Sequence, residues 1–214
     1  MLLLQNELQN KQRQLIFMAN RPLNTEFFDR AAKFAIEAHK GTERRGKASP
    51  YIIHCMEAAS IVATITNDPE LLAAAMLHDV IEDTDVTAED IRREFGNRVA
   101  ELVIGESDPE VPGQHEASTW EERKKFVIER LANESIDGKI VAMGDKLSNM
   151  RAIARDFDEQ GDELWKIFHA PDPRLHEWHY RGLALALKDL DGTEAYKEFC
   201  ELIDKTFSRA FRNL

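Results

Sequence analysis

Two cysteines, a shortage of positive charge, no long apolar run and almost no strand pattern bound what this chain of 214 residues can be. Cys55 and Cys200 stand far apart with no Cys-x-x-Cys spacing, which argues against a zinc knuckle and a disulfide framework and leaves buried, unpaired thiols. Lysine and arginine number 28 against 39 aspartates and glutamates, a net charge of −11. No extended basic face is available to release counterions from a nucleic-acid backbone, so nucleic acid is not an expected partner. Met1-Leu2-Leu3-Leu4 is apolar, but Gln5, Asn6 and Glu7 follow at once, so neither a signal-peptide core nor a spanning helix forms. The expected setting is cytoplasmic, with no membrane partner.

What is present is a globular composition, 43% hydrophobic and 31% charged, with apolar residues at helical spacings of three and four, as in Phe27, Ala31, Phe34, Ala35 and Ala38. The expected fold class is all-α, in one domain spanning 1–214. A first helix from Leu3 to Met18 reads as an accessory segment within 1–22, either covering the core or pairing with a partner, and it leaves a homo-oligomer open. The pattern restarts after Arg21-Pro22, because proline disfavours helical geometry in its predecessor. Lys40 to Pro50 reads as a locally basic loop punctuated by Gly41, Gly46 and Pro50. Thr87 and Asp90 predict a capped helix that Gly96 ends with a left-handed residue. A long acidic loop is expected between Gly105 and Ser118. Beyond it the spacing predicts helices over about 119–133, 137–156, 174–191 and 193–211, residues 158–214 forming a C-terminal extension. No internal repeat or low-complexity linker interrupts the chain.

The densest chemistry lies in Met76-Leu77-His78-Asp79-Val80-Ile81-Glu82-Asp83-Thr84, where an imidazole and three carboxylates fall within six residues. Asp68-Pro69-Glu70 supplies an N-cap, a proline at the first helical position and an early acid. On the helix this predicts, His78, Asp79 and Glu82 face one side and can grip a divalent cation. Two further candidates lie elsewhere. His54, in Pro50-Tyr51-Ile52-Ile53-His54, starts an amphipathic run; standing alone it would read as a satisfied core or surface histidine. Asp145 and Asn149 border an apolar stripe at 140, 143, 147, 150 and 154, where the acid needs a cationic partner: Lys146, Arg151 or a metal.

The ordered set Gly-x-x-Arg, PYIIH, LHDVIEDT and GDKLSNMR, from about Phe34 to about Ile153, resembles the HD-domain metal-dependent phosphohydrolases. Within them it is most similar to the hydrolase domain of RelA/SpoT proteins and the stand-alone metazoan SpoT homologues. The resemblance implies an HD-domain helical bundle with one divalent metal held by His54, His78, Asp79 and Asp145. It favours manganese, while the mixed nitrogen and oxygen donors equally suit iron or zinc. Glu82 and Asp83 would position the attacking water or take its proton. Arg44 would stack near the purine and Asn149 would contact the ribose, with Lys40 and Lys146 as further phosphate contacts. The implied activity is removal of the 3′-pyrophosphate of ppGpp or pppGpp, without the synthetase and regulatory domains of the bacterial enzymes. Alternatives are hydrolysis of another nucleotide, such as a nucleoside monophosphate or NADPH, and a nucleotide-binding regulatory module without turnover. Three departures bear on this choice. The acidic stretch Gly105 to Glu110 would repel a bis-diphosphate if it lined the pocket. Cys55 and Gly144 stand where the family commonly has proline and alanine, each exchange being sterically tolerable. The aromatic residues Trp165, Phe168, Trp178 and Tyr180 read as core. His169, His176 and His179 lack the fourth ligand a second metal would need.

Overall fold

The computed structural model describes residues 25–44, 47–107 and 120–210; the anticipated helix at Leu3–Met18, Arg45 and most of the acidic loop lie outside them. Among the described residues, ten α-helices run α1 (Thr25–Ala38), α2 (Ile52–Val62), α3 (Pro69–Leu77), α4 (Val80–Asp83), α5 (Ala88–Phe95), α6 (Asn97–Glu106), α7 (Trp120–Ala132), α8 (Ile136–Gln160), α9 (Pro173–Ala186) and α10 (Glu194–Ala210). Two 3₁₀ segments, Gly161–Ile167 and Lys188–Leu190, join the last three. Among the described residues the sole β pairing is an isolated bridge between Glu43 and Pro50, so the fold is all-α as the spacing predicts.

Local signals explain the helix starts. The Asp68 side chain accepts from the Glu70 N–H, Thr87 and Asp90 form a reciprocal capping box, and Ser135 and Asp172 cap α8 and α9. Gly96 adopts φ of +90°, the positive value expected, but ψ of 171° makes it extended rather than left-handed helical, and the chain passes directly into α6.

Every residue of α3 from Leu71 to Leu77 is buried, so this helix is apolar all round and forms the centre of the bundle. The long α8 lies against α2, α3, α6 and α10. Its contact with α2 depends on Gly144: a Cβ there would lie 2.6 Å from the Ala58 carbonyl oxygen and 2.8 Å from Val62 Cγ2. An alanine at this position is therefore not simply tolerable, since these helices touch backbone to backbone. The C-terminal aromatics divide. Trp165 and Tyr180 are buried, Phe168 lines a cavity and Trp178 is exposed. Cys55 is buried and Cys200 half-buried, both unpaired. No helix among the described residues is long and apolar enough to cross a membrane.

Candidate metal centre and substrate cleft

The His-Asp pair does not sit on a continuous helix: α3 ends at Leu77, His78 and Asp79 form the turn, and α4 begins at Val80. The His78 ring supplies a physical reason. Its Nδ1 lies 2.8 Å from the Ala75 carbonyl, occupying an acceptor that a further helical turn would use. His78 is thereby held with Nε2 facing outward.

Three separate stretches converge there. His54 from α2 places Nε2 3.2 Å from His78 Nε2; Asp79 Oδ2 lies 2.8 Å from His78 Nε2 and 3.4 Å from His54 Nε2. Asp145 from α8 brings Oδ1 to 3.1 Å from His54 Nε2 and 3.6 Å from His78 Nε2. A divalent ion with ligands at about 2.0–2.2 Å sets neighbouring donors roughly 3.0–3.5 Å apart, and the separations here run from 2.8 to 3.6 Å around those values. The surrounding hydrogen bonds fix the ring protons. Ser148 Oγ donates to Glu57 and so accepts from His54 Nδ1, while His78 Nδ1 donates to Ala75. Both Nε2 atoms then present lone pairs to one another and to two carboxylates, an arrangement that needs a cation between them. Without a metal, a proton on His78 Nε2 fills the same need for positive charge. Burial disfavours a charged His78, yet Asp79 and Asp145 outweigh it and hold its pKa well above the ordinary histidine value. For Asp145, burial is outweighed first by Lys146 and then by the two histidines, and its carboxyl is held well below the usual range. Cys55 lies near His78 and Asp79, but burial pushes its thiol up to about 12, so it remains protonated.

A cavity of about 300 Å³ opens on this cluster, lined among others by Glu82, Glu106, Lys124, Lys146, Asn149 and His179. A second arm of about 270 Å³ shares Tyr51, Asn149, Ile153, Phe168 and Tyr180 with it and reaches Arg44. Arg44 is held by the Glu43–Pro50 bridge at its loop base; its Nη2 donates to Asn149 Oδ1 at 2.5 Å, and Asn149 Nδ2 donates to Asp145 Oδ1 at 2.5 Å. Its guanidinium carbon stands 5.9 Å from the Tyr51 ring centroid. Glu82 lines the cleft, and both it and Asp83 are exposed.

Lys146 is at the site but tied to carboxylates, 2.5 Å from Asp145 Oδ2 and 3.4 Å from Glu106 Oε2. Lys40 is not brought to the cleft; it is exposed and pairs with Glu37 at 3.0 Å on the outside of α1. The structure adds residues that the sequence reading did not assign to this site. Tyr51 donates to Asp79 Oδ2 at 2.7 Å; its place inside PYIIH was the available signal. Glu106, Trp120, Lys124, His176 and His179 reach the cavity from α6, α7 and α9. His176 Nε2 donates to the Ala170 carbonyl at 2.7 Å, and His179 Nδ1 is buried without a hydrogen-bond partner. Burial holds both rings below the ordinary histidine pKa, His179 the further. They form no metal cluster among the described residues.

The fold and this site define the HD-domain class of hydrolases. A family model described as HD domain matches residues 31–170, and the chain belongs to that family. It is 33% identical over 172 residues to human guanosine-3′,5′-bis(diphosphate) 3′-pyrophosphohydrolase MESH1, a match covering 78% of this chain and 87% of the human protein. Proteins named guanosine-3′,5′-bis(diphosphate) 3′-pyrophosphohydrolase are similar in Vibrio cholerae, at 40% over 56% of this chain, and in Aquifex aeolicus, at 44% over 41%. The chain spans only 17% and 12% of those two longer proteins. Among solved structures, that of a metazoan SpoT orthologue described as hydrolysing ppGpp aligns with a TM-score of 0.65 at 25% identity. The alignment covers 87% of this chain and 98% of that one. A Listeria monocytogenes structure aligns with a TM-score of 0.62 at 26% identity, over 72% and 99% of the two chains.

Proposed function

We propose that this chain is a metal-dependent hydrolase of the 3′-pyrophosphate of ppGpp or pppGpp, releasing GDP or GTP and pyrophosphate. The observation that carries the reading is the cluster of two imidazole Nε2 atoms and two carboxylates lining one arm of a two-armed cleft. A divalent ion held by His54, His78, Asp79 and Asp145 supplies a lowered water pKa and polarisation of a phosphoryl oxygen. Manganese is the metal we propose, on the strength of the family resemblance, and a cytoplasmic setting belongs to the same proposal.

The chain's own side chains do the rest. Glu82, with Asp83 beside it, takes the proton of the water that attacks phosphorus as the bond to the 3′-oxygen breaks. Arg44 turns its planar face to the purine, with Tyr51 behind it, and exchanges its bond to Asn149 for contacts to nucleotide. Asn149 then has an amide oxygen for the ribose while its NH₂ keeps Asp145 aimed. Tyr51 holds the free oxygen of Asp79 and so fixes that ligand's orientation.

Glu106 favours a second reading, hydrolysis of a nucleotide with fewer phosphates, because it adds a carboxylate beside the cluster. Chromatography of products from the Mn²⁺-loaded protein with ppGpp, beside nucleoside monophosphates and NADPH, decides between them. GDP and pyrophosphate from ppGpp are expected, and cleavage confined to another nucleotide would replace the first reading by the second. Nucleotide binding without any cleavage would leave the regulatory-module alternative standing.

A further inference from the structure

Glu106 closes α6 and lines the same cavity as the metal cluster, yet its side chain is only 7% exposed. Its Oε2 lies 3.4 Å from Lys146 Nζ, which also lies 2.5 Å from Asp145 Oδ2. The lysine nearest the metal ligands therefore faces two carboxylates, one of which, Asp145, is already committed to the cluster. We propose that Glu106 is a specificity-determining residue that masks Lys146, and so weakens the cleft's hold on the phosphate-rich end of a substrate and on the pyrophosphate product.

The charges around the cavity support this. With its histidines neutral, the lining carries Asp79, Glu82, Glu106 and Asp145 against Lys124 and Lys146. A divalent ion brings the positive total level with the negative. Glu106 thus removes the one unit of excess positive charge that would otherwise meet a polyanion, from a buried position where water screens it poorly. A pyrophosphate engaging both the metal and an unmasked Lys146 would gain a charge-assisted hydrogen bond and leave slowly. With Glu106 in place, Lys146 must break an ion pair to make that bond. Orthophosphate, which the metal alone satisfies, is affected far less.

The inference rests on the phosphohydrolase reading for its biological sense, but its test does not need turnover. Calorimetric titration of the Mn²⁺-loaded full chain with inorganic pyrophosphate and with orthophosphate compares the wild type, Glu106→Gln, Lys146→Gln and the double variant. Glu106→Gln is expected to tighten pyrophosphate about tenfold, the scale of one charge-assisted hydrogen bond, and orthophosphate less than about threefold. The gain should vanish when Lys146 is glutamine. In a substrate that turns over, KM should fall without a matching rise in kcat. Glu106→Asp, whose shorter carboxylate retracts from Lys146, should show an intermediate gain and stands in if the glutamine variant does not fold. Unchanged pyrophosphate affinity in a folded variant, or an equal gain in the Lys146→Gln background, would overturn the proposal. Tightened pyrophosphate with no ppGpp cleavage would instead remove the substrate assignment and leave the masking intact.

Discussion

Gly144→Ala couples the packing of the bundle to the geometry of its metal centre. In an ordinary helix interior the exchange stabilises by about 1 kcal/mol. Here the new methyl would sit 2.6 Å from the Ala58 carbonyl oxygen and 2.8 Å from Val62 Cγ2, and the oxygen belongs to backbone that cannot rotate aside. Restoring ordinary contact requires α2 and α8 to part by about 0.8 Å, and such overpacking costs about 1–3 kcal/mol, so the net change is a loss of about 0–2 kcal/mol. The larger effect falls on the site. Asp145 follows Gly144, and His54 lies one turn before Ala58, so the same parting lengthens the 3.1 Å separation of their donor atoms. Metal sites accept ligand displacements of about 0.2 Å. Mn²⁺ affinity should therefore fall about 10–100-fold, the scale seen when the groups supporting a ligand are disturbed. Urea denaturation of the metal-free protein gives the first quantity and a competitive metal titration the second. Gly182→Ala is the control: its methyl would meet only the Ile128 side chain, closest at Cδ1 (2.5 Å), which can rotate aside and lies outside the metal cluster, so metal affinity should stay at wild type and stability change by no more than about 1 kcal/mol. A Gly144→Ala protein stabilised by the full 1 kcal/mol with unchanged metal affinity would refute the reasoning.

Asp79→Ala should abolish metal binding and turnover together, while Glu82→Gln should retain the metal and lower kcat about 10²–10⁴-fold; full activity in the glutamine variant would remove Glu82 from proton handling. Arg44→Ala should raise KM for the nucleotide about tenfold or more with a smaller change in kcat, and an unchanged KM would return this residue to a purely structural bond with Asn149. The pH dependence of stability has a definite sign. His176 and His179 have folded pKa values lowered by burial, so below pH 6.5 the unfolded chain binds protons that the folded one does not. Stability from these rings is full above pH 6.5 and falls by up to about 1.4 kcal/mol per pH unit for each as pH drops toward the folded value. Urea midpoints at pH 7.5 and 5.5 should differ less in His179→Gln than in wild type, and an equal drop in both would disprove the assignment.

How far the sequence reaches differs from residue to residue. Caps act within one turn, so Asp68 and Thr87 announced their helices and the structure keeps them. His78 and Asp79 stood out as a dense run of donors and Asp145 as an acid bordering an apolar stripe, where burial is costly without a partner, whereas His54 and the grouping of the four came from the family resemblance. The His78–Asp79 turn was not legible, because its interruption of the helix uses a ring-to-carbonyl bond that helical periodicity does not register. Lys40 looked like a phosphate contact from its loop, yet α1 turns it toward Glu37.

The sequence by itself determined the all-helical class and the capped helix starts, since each depends on side chains a few positions apart. Only the tertiary structure decided which distant groups share a cleft. Glu106, Lys124 and His179 carry no signature that assigns them to the site; they line its cavity because α6 packs on α8 while α7 and α9 pack on each other beside it. Gly144 became meaningful only when α2 was seen to touch its backbone. Charge and close packing act through space, so these properties belong to the assembled bundle and not to any stretch of the chain.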